Sequence, residues 1–77
     1  METKMVDVTL HIDETLSADA RDSLRDDYLG SNGIMAADYQ SEHPHLMVIE
    51  YDPDVTDSQT LLALAKQHGI HAELIGL

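Results

Sequence analysis

Five histidines and fifteen carboxylates are the side chains of this sequence best equipped for chemistry. The histidines are His11, His43, His45, His68 and His71. Neutral imidazole combined with carboxylate suits Zn²⁺, Ni²⁺, Co²⁺ or Cu²⁺. The chain has no cysteine, which removes disulfides, thiolate metal sites, thiol redox chemistry and cysteine nucleophiles together. Clustered imidazoles beside carboxylates can also sense pH, but a sensor needs a two-state element and none is visible. Ser17 and Ser23 have no His-Asp support, and there is no glycine-rich phosphate loop. The sequence therefore reads as a non-catalytic binding protein. It calls for no cofactor beyond the divalent transition metal that its histidines could take.

Seventy-seven residues form one domain, 1–77, too small to enclose a substrate pocket of the usual size. Only four Lys and Arg oppose the carboxylates, and the net charge is −11. Such a charge repels phosphate backbones and anionic bilayers, so neither nucleic acid nor membrane is an expected partner. The longest apolar run, Leu61 to Ala65, is far too short to span a bilayer. Met1-Glu2-Thr3-Lys4 lacks the basic start and apolar stretch of a signal peptide, and a soluble, cytoplasmic protein is expected. The acidity fits a high-salt cytoplasm, a basic partner surface or a plain solvated exterior. Asp19, Asp22, Asp26 and Asp27, with Arg21 and Arg25 between them, read as a solvated helix face with i, i+4 pairs.

The elements that must position these groups follow from periodicity. Met5 to Ile12 alternates Val6, Val8, Leu10 and Ile12 with Asp7, Thr9 and His11, a strand with one buried face. Residues 17–29 predict a helix with Ser17 as cap, Ala20, Leu24 and Tyr28 as inner stripe, and Gly30 and Gly33 at its end. Ile34 to Tyr39 is a strand, Gln40 to Pro44 a polar turn, and His45 to Tyr51 a strand ended by Asp52-Pro53-Asp54. Thr56-Asp57-Ser58-Gln59 fits a capping box with Thr56 as the cap. The helix it opens carries Leu61, Leu64, Ala65 and His68 near one face and closes at Gly69. Ile70 to Ile75 alternates again. Tyr28, Tyr39 and Tyr51 are expected in the core with hydroxyls at its edge.

The order β-α-β-β-α-β, with right-handed crossovers, predicts an α+β ferredoxin-like sandwich. It has one antiparallel four-stranded sheet, order 4-1-3-2, with both helices on one face.

Val48-Ile49-Glu50-Tyr51-Asp52-Pro53, Val55-Thr56, Leu61 and Gly69-Ile70-His71-Ala72-Glu73-Leu74 resemble the second half of heavy-metal-associated domains. Leu10, Ile12, Leu24 and Gly33-Ile34 fit the first half. These domains are the small copper and zinc chaperone modules that also cap P-type metal pumps. The resemblance implies a metal-binding Gly-Met-x-Cys-x-x-Cys between the first strand and helix. Here that stretch reads Glu14-Thr15-Leu16-Ser17-Ala18-Asp19-Ala20, with Ser17 and Ala20 at the cysteine positions. Without thiolates, the Cu(I) chemistry of the family is lost.

The same topology gathers the histidines, with Asp13, Glu14 and Glu42, at the end of the sheet where the family binds metal. The candidate metal ligands are His11, His68 and His71, with His11 and His71 as neighbours across paired strands. His43 and His45 are expected one strand too far away. His68 serves equally well as a plain covering for a helix C-terminus. On the sheet face without helices the alternation puts Thr9, His11, Leu46, Val48, Glu50, His71, Glu73 and Ile75. Leu46, Val48 and Ile75 are the candidate interaction face. The leading expectation is a module for binding a protein partner or a second copy of itself. The alternative is divalent metal binding or transport through His and carboxylate.

Overall fold

A computed structural model describes residues 4–40 and 42–75. Met1-Glu2-Thr3, Ser41 in the expected turn, and residues 76–77 lie outside the described residues. Six elements follow one another: β1 (Val6–Ile12), α1 (Ala18–Leu29), β2 (Ile34–Gln40), β3 (His43–Tyr51), α2 (Ser58–Gln67) and β4 (Ala72–Ile75). The strands form one sheet in the order β2-β3-β1-β4, the expected 4-1-3-2 read from the other edge, and every neighbouring pair is antiparallel. The two connections through α1 and α2 give the ferredoxin-like sandwich. None of the described helices is long and apolar enough to cross a membrane.

The alternation of β1 decides which face is inside. Val8, Leu10 and Ile12 are buried, and they meet Met47, Ile49 and Tyr51 of β3 on the same face. Leu24 and Tyr28 of α1 and Leu61 and Ala65 of α2 close the core from above. Each large side chain so buried contributes roughly 1.5–3 kcal/mol. Among the described residues the only buried side chains are apolar or tyrosine. Tyr28 brings a polar group into this core: its hydroxyl is buried, not at the edge as expected, and donates to the Leu61 carbonyl at 2.6 Å. Burial pushes its ionisation well above the ordinary tyrosine range. Tyr39 is half-buried and donates to the Arg21 carbonyl at 3.1 Å, with burial moving its pKa up to about 12.

Three local expectations are corrected. The cap of α2 is Asp57 rather than Thr56: its carboxylate accepts the backbone N–H of Thr60 at 2.8 Å and the Thr60 hydroxyl at 2.9 Å. A carboxylate at the positive end of a helix accepts more strongly than a hydroxyl, and these bonds hold the Asp57 pKa below its usual range. The turn between β2 and β3 is also tighter, with β3 starting at His43. Pro44 is tolerated there because the β1 ladder on β3 starts only at Leu46. Finally, the arginines of α1 reach across to β2 rather than along the helix. Arg25 lies 3.5 Å from Asp38 and 4.0 Å from its neighbour Asp26, and Arg21 sits over the Tyr39 ring.

Two glycines hold backbone that other residues resist: Gly33 at φ 85° and Gly69 at φ 74°. A Cβ on Gly69 would meet open space, whereas one on Gly33 would stand 2.9 Å from Val55 Cβ. Gly69→Ala should therefore cost about 1–2 kcal/mol from backbone strain alone. Gly33→Ala should cost clearly more, because overpacking adds to the strain. Urea denaturation of the two variants measures the difference, and equal losses would contradict the contact with Val55.

Candidate metal centre

The site is built at the end of β1. His11 occupies the outward phase of the strand, between Leu10 and Ile12, which point into the core. It lies on the helix-free face, opposite Leu46 on β3 and Glu73 on β4. Asp13 follows immediately and is fixed by its backbone, whose N–H donates to the His71 carbonyl at 2.9 Å. The result is a convergence of three side chains. His11 Nδ1 is 3.3 Å from Asp13 Oδ1 and 3.6 Å from Glu73 Oε1, and one donor atom from each residue lies within 4.8 Å of the others. Two donors each bound about 2.0–2.1 Å from a tetrahedral ion stand roughly 3.3 Å apart. The spacing thus suits a shared ion with little adjustment, and the side chains remain 40–63% exposed to incoming solvent or ion.

His45 comes closer than expected. Its Nδ1 lies 2.7 Å from the Ile12 carbonyl, and its ring stacks on His11 with centroids 6.3 Å apart. β3 is the immediate neighbour of β1, so a residue one step before Leu46 falls beside Ile12. A carbonyl can only accept, so Nδ1 of His45 carries the proton and the neutral ring has its lone pair on Nε2.

The other two expected ligands are engaged elsewhere. His71 Nδ1 is 2.6 Å from Glu14 Oε2, and the same carboxylate accepts the His71 backbone N–H at 2.9 Å. His68 caps α2, and its Nε2 meets Asp27 Oδ2 at 2.5 Å. Asp27 lies in the last turn of α1, about 15 Å along the helix from its cap. The structure therefore brings His11 together with Asp13 and Glu73, and keeps His68 and His71 on separate carboxylates. The sequence places Asp13 at this end of the sheet but marks neither it nor Glu73 as a ligand. The signal was available in the strand pairing: once β4 lies beside β1, outward Glu73 faces outward His11.

Ser17 and Ala20, at the positions where the resemblance expects cysteines, form the cap of α1. The Ser17 hydroxyl accepts the Ala20 N–H at 3.1 Å. This pair offers a metal no soft donor.

On the helix-free face, Val48, Thr9 and Ile75 form one row across the strands, and Leu46, His11 and Glu73 form the next. The polar column of β1 therefore stands between Leu46 and Val48 on one side and Ile75 on the other.

The Glu14–His71 pair carries a pH signature. The hydrogen bond to Glu14 raises the His71 pKa, and the same bond lowers that of Glu14. The His71 contribution to stability is complete below pH 6.5 and is lost as pH rises through its raised value. The Glu14 contribution is complete above pH 4.5 and is lost as pH falls through its lowered value. Glu14→Gln should therefore lose most stability relative to the parent between these two pH values. It should also return the His71 imidazole, followed by NMR, to the ordinary range. An unchanged His71 titration would contradict the pairing.

No family model matches the chain, and no curated protein matches it in sequence. Solved structures do. A copper-bound CopA variant from Bacillus subtilis superimposes with a TM-score of 0.79 at 14% identity, over 100% of both chains. A copper-binding domain of HMA7, a P-type ATPase, gives 0.81 at 14% identity over 91% of this chain and 93% of its own. Oxidized MerP from Ralstonia metallidurans CH34 gives 0.83 at 16% identity, over 95% of this chain and 100% of its own. The likeness is one of fold, carried by a sequence with no cysteine. The chain has the ferredoxin-like fold of the heavy-metal-associated copper- and mercury-binding domains, as its resemblance implied.

Proposed function

We propose that this protein binds a borderline divalent cation, Zn²⁺, Ni²⁺, Co²⁺ or Cu²⁺, through His11, Asp13 and Glu73. The single observation that supports this reading is the convergence of their donor atoms within 4.8 Å on the outward end of β1. The donor set does not fit the soft ions of thiolate sites, because one imidazole and two carboxylates are borderline and hard ligands. Two carboxylates leave a net negative site that a dication neutralises, and its three ligands leave positions for water or a partner's ligand. The role we assign is binding or delivery of the ion, because the three donors are exposed on an open sheet face that encloses no substrate. The interaction reading of Leu46, Val48 and Ile75 is the weaker one, because Thr9 and His11 divide those apolar side chains.

Amide NMR titration with Zn²⁺ and Ni²⁺ tests the proposal. Saturable shifts should centre on residues 11–13 and 73. His11→Ala should weaken binding by more than the roughly 10–100-fold that loss of a mere orienting partner costs, and His68→Ala should leave it unchanged. Affinity should fall on acidification, because protons compete for the imidazole nitrogen. Flat spectra at millimolar metal, or equal losses in His11→Ala and His68→Ala, would refute the site.

A further inference from the structure

A second surface lies on the other side of β4. β4 ends the sheet, and among the described residues no strand pairs with its outer edge. Its hydrogen-bonding phase is fixed by the Asp13 N–H, which donates to the His71 carbonyl. Backbone groups alternate along a strand, so those of His71, Glu73 and Ile75 face β1. Those of Ala72 and Leu74 face outward, presenting two N–H and two C=O groups to an incoming chain. The opposite edge is different: the β2 ladder is irregular at both ends, between Ile34 and Ala36 and between Tyr39 and Gln40. Such bulges blunt an edge against added strands.

Beside the β4 edge runs a groove of about 450 Å³, between the end of α2 and β4. Leu62, Ile70 and Ala72 supply its apolar wall, and Asp13 and Glu73 its acidic margin. Gly69 adds no side chain to narrow it. An edge strand next to a groove is the arrangement that captures extended peptides, with backbone bonds for affinity and alternate side chains inserted for specificity.

We infer that the β4 edge receives an extended segment of a basic partner protein as a fifth strand. One apolar side chain of that segment would enter the groove, flanked by lysine or arginine. Charge selects this occupant. A second copy of the chain would bring another −11, whereas a basic segment meets Asp13, Glu73 and the wider acidic surface. The groove's own cations are Lys66 and His71, and the His71 imidazole is already engaged by Glu14. The inference shares Asp13 and Glu73 with the metal reading but needs no ion, so it is tested with chelator present.

The probe is a synthetic peptide of about ten residues alternating lysine and valine, added to the labelled full chain. Saturable amide shifts should appear at residues 70–75 and at Leu62 and Lys66, with slower hydrogen exchange at Ala72 and Leu74. Added salt should weaken binding. Leu62→Ala should weaken it by about tenfold, the loss expected of a central apolar contact. Methylating alternate backbone nitrogens of the peptide should have a similar effect without altering the protein. Equal binding by the methylated peptide or by a glutamate-valine peptide would overturn the inference. So would shifts confined to α1 or β2, dimerisation in place of peptide binding, or no shift at millimolar peptide.

Discussion

The structure depends on the register of β1 between β3 and β4. A strand has a period of two, so one choice of phase sends Val8, Leu10 and Ile12 into the core and Thr9 and His11 out of it. A slip by one residue would bury a histidine and expose three aliphatic side chains, at a cost of several kcal/mol. The same phase decides the chemistry. It places His11 beside Glu73, and it turns Asp13 out of the strand at the point where its backbone ties down β4. Core and candidate site are therefore two faces of a single constraint.

The fold is shared with metal-binding domains, whereas the cysteine-free sequence is not equipped for thiolate chemistry. Its backbone follows the copper- and mercury-binding domains over nearly its full length. Yet at the end of the loop between β1 and α1, where the family resemblance implies the thiolates, there is a helix cap in which Ser17 holds Ala20. The scaffold does not depend on that loop, because its buried apolar side chains lie between the sheet and the helices. The candidate donors are instead His11 on β1, Glu73 on β4 and Asp13, the first residue after β1.

The acidic surface is common to the two proposed binding surfaces. Fifteen carboxylates on a chain of this size repel anions and attract cations, whether metal ions or the side chains of a basic segment. The histidines act at a shorter range. His68 ties the end of α2 to α1 through Asp27, and His71 ties the start of β4 to Glu14. Both are structural contacts made with carboxylates that the net charge supplies in excess.

Much of this was legible in the residues alone. Alternation gave the strands, the spacing of Leu24 and Tyr28 gave the inner face of α1, and six elements in order gave the topology and strand order. Composition by itself removed thiolate chemistry. These properties are local or nearly so, and period and composition are carried by the sequence directly. The partners of individual side chains were not legible. Asp57 displaced Thr56 as a cap because the two oxygens compete within one turn. Tyr28 buried its hydroxyl because Leu61, far along the chain, offers a carbonyl. His45 reached His11, and His68 and His71 parted from it, because each contact joins residues from different strands and helices. Sequence determined which chemistry the chain could carry. Only the tertiary structure decided which carboxylate each histidine meets, because that choice is set by register and packing between segments distant in the chain.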